Sequence, residues 1–344
     1  MNEAKGPAEA IPAGTRLGVY RVVGRLGAGG MGVVYEAVHE LIGRRVAIKV
    51  VSGADKDRRR FLREGRMAAA VRHPHAIEVT DVGVEGDIFY LVMELIEGET
   101  LGHMLAREIR LGVQEIVQLA LPLVDALSAA HAMGVIHRDL KPANVILARG
   151  SGDRLHPKLV DFGVSKIIGD RLDPGDTKLT VDGALVGTPC YMSPEQFTGT
   201  MEADARSDQY SFGVLLYECA SGLLPVEETA VWRHIQRVVV GDFKPLLAVQ
   251  PDLPPEFCEV IDRCMATDPA DRFADMYAAG AALLPFADET TARLWAQVFD
   301  DASSARARRD EPQATPSDEG LMVPAAEPSD PYAATVGFPA THDI

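Results

Sequence analysis

The stretch His137-Arg138-Asp139-Leu140-Lys141-Pro142-Ala143-Asn144 sets a carboxylate, an ammonium and an amide close together, just after an apolar run. Asp139 can accept a proton from a hydroxyl. Lys141 can neutralise a phosphate. The Asn144 side-chain carbonyl suits a hard cation such as Mg2+, which takes oxygen ligands. Further along, Asp161-Phe162-Gly163 adds a second carboxylate at a turn. An Asp alone in a loop is usually a turn or capping residue, so what carries weight here is the order and spacing of the whole set.

These side chains need a frame that holds phosphates. Gly27-Ala28-Gly29-Gly30-Met31-Gly32 fits G-x-G-x-x-G, a pattern that dinucleotide-binding folds share. In those folds it opens a helix. Here the β-branched Val33 and Val34 lead into Tyr35-Glu36-Ala37-Val38, which reads as a strand. A strand, a glycine turn and a second strand make a hairpin whose N–H groups can approach phosphates, because no Cβ intervenes. Val46-Ala47-Ile48-Lys49-Val50 then buries one lysine in an apolar run, which is costly unless that lysine is paired.

In this order the motifs resemble the bacterial eukaryotic-like (Hanks-type) serine/threonine protein kinases, from Leu17 to Leu284. The resemblance implies an α+β, two-lobed protein-kinase-like fold. A small β-rich N-lobe with one regulatory helix would span 17–96, and a larger, mainly helical C-lobe 97–285. It implies ATP and Mg2+ as cofactors, with Leu26, Gly27, Ala28, Gly29, Gly30, Met31, Gly32, Val34, Ala47 and Lys49 around the nucleotide. Met93 would back the adenine pocket, and backbone groups of Glu94 and Ile96 would meet the adenine edge. Lys49 would reach the phosphates and pair with Glu64 on the regulatory helix. Asp139 would take the hydroxyl proton, with Lys141 beside it. Asn144 and Asp161 would each hold a metal ion.

The same resemblance makes 164–195 an activation segment, with Thr177 and Thr180 as candidate phosphosites and Asp182 as a partial phosphate mimic. Cys190 would be an exposed, small space-filler near the peptide site. Glu195 would pair with Arg272 in a buried structural ion pair. Asp208 would cap the central C-lobe helix and hold the catalytic loop. Gly65 beside Glu64 costs its helix roughly 0.5–1 kcal/mol and predicts a mobile helix. His131 reads as a packed helix-end residue, and Pro122 predicts a kink or break in the helix over 113–133. The implied activity is transfer of the ATP γ-phosphoryl group to Ser or Thr hydroxyls of protein substrates, with the chain's own loop among them. A non-catalytic nucleotide-binding scaffold and a metabolite kinase are the competing readings.

Composition bounds the rest. The 344 residues carry a net charge of −16, which disfavours nucleic acid as a partner. The four cysteines include no CxxC pair, as expected of reduced thiols in a cytoplasmic protein. Apolar runs are too short to suggest a membrane anchor. Residues 1–16 and the acidic Ala/Pro-rich tail 286–344 read as disordered, apart from a helix over 288–309. Thr290, Thr291, Thr315 and Thr335 are tail positions at which a phosphothreonine-reading partner could bind after autophosphorylation.

Overall fold

The computed structural model describes residues 11–29, 32–52, 58–149, 155–162, 188–199 and 204–310. The chain forms a sheet-rich lobe followed by a helical one. The first lobe has strands β1 (Arg16–Leu17), β2 (Tyr20–Gly29), β3 (Gly32–His39) and β4 (Arg45–Ser52), helix α1 (Arg58–Ala70), then β5 (Val79–Glu85) and β6 (Ile88–Glu94). These strands form one antiparallel sheet in the order β1-β2-β3-β4-β6-β5. The period-2 alternation of β4 sorts its side chains. Val46, Ile48 and Val50 join Tyr35, Ala37, Tyr90 and Val92 in one apolar cluster. Ala47, Lys49 and Val51 point to the opposite face, where Val51 meets Phe61 of α1 and Phe89 and Leu91 of β6.

The second lobe begins with β7 (Gly98–Thr100), α2 (Leu101–Glu108) and α3 (Val113–Ala132). The hairpin β8 (Val145–Arg149) and β9 (Leu155–Leu159) pairs with β7 to form a small sheet. Then come α4 (Pro194–Thr198), α5 (Ala205–Ser221), α6 (Val231–Val240), α7 (Leu246–Val249), α8 (Pro255–Cys264), α9 (Met276–Leu283) and α10 (Glu289–Asp310). Helix α3 runs unbroken through the buried Pro122. The proline forfeits one intrahelical N–H, but the burial of most of the helix, Pro122 included, outweighs that loss. Among the described residues α3 is the one helix long and apolar enough to cross a membrane, and two-thirds of it is buried inside the lobe. Helix α5 is nearly all buried, its polar Ser207, Asp208, Gln209 and Ser211 included, and Asp204, rather than Asp208, caps its N-terminus through the Arg206 N–H.

Candidate active site

The loop between α3 and β8 carries Asp139, and a buried carboxylate shapes it. Asp208 is fully buried on α5. It accepts the backbone N–H of His137 at 2.8 Å, that of Arg138 at 2.7 Å and His131 Nε2–H at 2.7 Å. Burial alone would push this carboxyl up; the His131 hydrogen bond and charge, with the backbone donors, hold it below its ordinary value. Arg138 sits in the left-handed region at φ 65°, a conformation that costs a non-glycine residue about 1–3 kcal/mol. The bonds to Asp208 from its own N–H and from that of His137 hold it there. His137 donates Nε2–H to the Val160 carbonyl at 2.9 Å and packs edge-on against Phe162, with ring centroids 4.8 Å apart.

Asp139 thus stands at the mouth of a rigid loop. Lys141 Nζ lies 2.9 Å from both of its carboxylate oxygens. Asn144 Nδ2 donates to the Asp139 carbonyl at 2.7 Å and to its carboxylate at 3.0 Å. With the amide nitrogen so engaged, the Asn144 carbonyl oxygen is the atom left to face a cation. The Asn144 backbone carbonyl accepts the Val160 N–H at 2.9 Å, which ties the loop to the strand that delivers Asp161.

Asp161 is itself left-handed at φ 68°. Its Oδ2 lies 2.8 Å from Lys49 Nζ, and Lys49 is only 4% exposed. The ion pair expected between Lys49 and Glu64 is not formed. Glu64 instead pairs with Arg60 Nε at 3.1 Å and Arg63 at 3.8 Å, and its second oxygen is buried without a hydrogen bond. The reason is local: Arg60 is one turn before Glu64 on α1, where i,i+4 charges meet, while Lys49 is satisfied by Asp161. Gly65 has a packing role as well. It is buried, and a Cβ there would lie 2.8 Å from Val82 Cγ2 and 3.3 Å from Leu91 Cδ2. The glycine lets α1 lie close against the sheet.

Between the lobes, Ala47, Ile77, Met93 and Val160 form an apolar cluster, with Val34, Leu95, Ile96 and Ile146 packed against it. Its lining fits a flat apolar base. Among the described residues the Ile96 N–H donates no hydrogen bond, which leaves a donor for the edge of such a base, and Leu26 is half-exposed. A buried cation, an apolar slot and the Asn144 and Asp161 oxygens together fit a metal-bound nucleotide. The Glu94 side chain pairs with Lys158 at 2.6 Å. At the lid, Gly32 has φ 147° and a Cβ would meet the Val50 carbonyl at 2.3 Å, so the sheet itself demands glycine there. At Gly27 a Cβ would meet only open space. Gly30 and Met31 lie outside the described residues, as do Gly163, Thr177, Thr180 and Asp182.

Beyond the loop, Arg272 grips Glu195 in a bidentate pair at 2.8 and 3.0 Å, and Ser207 Oγ adds a bond at 2.7 Å. Burial would raise the Glu195 carboxyl, but the guanidinium holds it below its ordinary value. Gln196 donates to the Arg138 carbonyl at 3.3 Å, which fastens α4 to the catalytic loop. Tyr191 donates to Glu218 at 2.5 Å. Cys190 is half-buried, not exposed, and burial pushes its thiol up to about 11. Ile77, Ile146, Val160 and Glu218 were not singled out from the sequence. Ile146 and Val160 could have been found from their places beside Asn144 and Asp161. Glu218 carries no such signal.

An antiparallel sheet lobe, a helical lobe and the polar pairs at Lys49–Asp161 and Asp139–Asn144 agree with one family. The chain belongs to the protein kinase family. The protein kinase domain profile matches residues 20–283. The chain is similar to serine/threonine-protein kinase pkn3 of Myxococcus xanthus, 36% identical over 271 residues, which is 77% of this chain and 49% of that protein. It is 36% identical over 266 residues to PknH of Mycobacterium tuberculosis, covering 76% of this chain and 41% of that protein. PknL of the same species is 35% identical over 274 residues, 78% of this chain and 66% of that protein. The chain thus spans about half the length of the curated relatives it matches.

Proposed function

We propose that the protein is an active serine/threonine protein kinase that uses ATP and Mg2+ and phosphorylates protein hydroxyls, those of its own loop at Thr177 or Thr180 among them. The observation that carries this reading is a pair of polar clusters, Asp139 with Lys141 and Asn144, and Lys49 with Asp161, tied through the Val160 N–H that donates to the Asn144 carbonyl just before Asp161. ATP, when bound with its metal, supplies the phosphoryl group. Asp139 orients a hydroxyl and takes its proton. Lys141, against the same carboxylate, neutralises charge that develops on the transferred group. Lys49 holds the phosphates, and Asn144 and Asp161 offer oxygens to the cation. The names of the relatives support Ser and Thr as acceptors.

Two finer readings belong with this one. The four thiols are free and three are buried, which supports a reducing, cytoplasmic setting. Thr290 and Thr291 lie in the first turn of α10, where the Thr291 hydroxyl donates to Asp288 at 2.6 Å. We retain them as candidate sites for a phosphothreonine-reading partner; Thr315 and Thr335 lie outside the described residues. Incubating the full chain with labelled ATP, Mg2+ and a protein acceptor tests the activity. Label should appear on the acceptor and on Thr177 or Thr180. Equal labelling by Asp139→Asn would refute the assignment of Asp139.

A further inference from the structure

Helix α10 begins after the kinase match ends at residue 283, yet its inner face is buried in the lobe. Trp295 and Phe299, four residues apart, are 8% and 4% exposed. Phe299 packs edge-on against Tyr277, and it sits where a Cβ on Gly280 would come within 2.8 Å. Asp288 opens the helix, accepting the N–H groups of Thr290 and Thr291 and the Gln118 amide. Covering apolar surface would explain Phe299. Trp295 reaches further.

The Trp295 ring lies 6.3 Å from the ring of His75, in the turn between α1 and β5. His75 stacks on His156 with centroids 4.1 Å apart and donates Nδ1–H to the Pro157 carbonyl at 2.8 Å. His156 Nε2–H reaches back to the Pro74 carbonyl at 3.2 Å. His73 donates to Asp125 on α3 at 3.0 Å and accepts the His75 N–H at 3.2 Å. Burial, with His156 and His73 nearby, holds His75 down at about 4, so its ring is a neutral packing and hydrogen-bonding group. The same turn holds β9 through its backbone: the Leu159 N–H donates to the His75 carbonyl at 2.9 Å, and the Ile77 N–H to the Leu159 carbonyl at 2.8 Å. Val160 and Asp161 follow directly.

We propose that α10 is a built-in brace for the nucleotide site, with Trp295 as a positioning residue that acts through His75 and the α1–β5 turn on the strand that delivers Asp161. Loss of the Trp295 ring frees one side of His75. The turn then moves relative to β9, and Asp161 loses its fixed approach to Lys49 and to a bound cation. This inference rests on the kinase reading, because it concerns the affinity of the site for Mg2+ and a nucleotide.

The test uses the full chain, Mg2+ and ADP, with binding measured by calorimetry and amide hydrogen exchange measured without nucleotide. Trp295→Ala should weaken Mg·ADP binding about fivefold, within the range for coupling through packed networks. Exchange at Ile77 and Leu159 should accelerate more than exchange in the core of α5. Trp295→Phe should recover most of both effects. Leu294→Ala, on the exposed side of α10, should match the wild type. If Trp295→Ala does not fold, Trp295→Leu keeps the apolar bulk and is judged by the same criteria. The brace is overturned if the variant binds Mg·ADP within twofold of wild type, or if Ile77 and Leu159 exchange only in step with α5. A wild-type chain that fails to bind Mg·ADP would overturn the kinase reading instead.

Discussion

Gly65→Ala sets two well-known effects against each other at one position of α1. Alanine in a helix interior is favoured over glycine by roughly 0.5–1 kcal/mol, so an isolated helix would gain. Position 65, however, faces the sheet. The added methyl would lie 2.8 Å from Val82 Cγ2 and 3.3 Å from Leu91 Cδ2, nearer than carbon atoms normally approach. Valine is stiff at χ1, so Val82 cannot swing aside cheaply, and α1 must move outward instead. Overpacking of this kind costs about 1–3 kcal/mol. The net expectation is a loss of about 1 kcal/mol, or roughly 2 °C in Tm for a domain of this size. Denaturant titration checks the stability, and hydrogen exchange along α1 checks the displacement. Pairing the change with Val82→Ala should recover stability, because the smaller side chain opens the space. A Gly65→Ala chain more stable than wild type, with unchanged α1 exchange, would refute the packing argument and return Gly65 to a matter of helix propensity alone.

Asp208→Ala should cost about 4 kcal/mol, because two buried backbone donors at His137 and Arg138 lose their acceptor at about 1–3 kcal/mol each and the His131 bond is lost as well; a denaturation loss under about 1 kcal/mol would contradict the anchoring role. Arg272→Met leaves the Glu195 carboxylate buried without its cation and should cost about 3–5 kcal/mol at neutral pH. Glu195 is held below its ordinary 4.5 in the fold, so its contribution is complete above that value and is lost as pH falls through the lower, folded value. Arg272→Met should therefore flatten the acid limb of the stability curve, and an unchanged slope would show that the pair does not set it. Arg60→Gln removes the i,i+4 competitor for Glu64; without it Lys49 should be able to engage Glu64, seen as a tighter Mg·ADP complex, and an unaltered affinity would count against competition by Arg60.

The apolar run of β4 with its one lysine, the strand reading after Gly32 and the compact polar stretch from His137 to Asn144 were legible because each is a local property: hydrophobicity, steric tolerance and donor type. The two lobes were implied by the family resemblance that these motifs carry, and the long α3 by its own apolar period. What sequence alone could not decide were choices between partners of equal chemistry. Lys49 has two carboxylates it could meet, Glu64 and Asp161; the i,i+4 spacing of Arg60 and Glu64 is a local feature, but only the tertiary structure pairs Lys49 with Asp161 and leaves Glu64 to Arg60. The role of Gly65 was hidden for the same reason, since a glycine in a helix looks like a weakness until the Val82 side chain is seen across from it. Asp208 was expected by resemblance both to cap its helix and to hold the catalytic loop; it accepts the His137 and Arg138 N–H groups of that loop, while folding gives the cap to Asp204. Trp295 was legible as an apolar residue on a helix; its contact with His75 exists because the tail folds back onto a turn more than two hundred positions earlier in the chain.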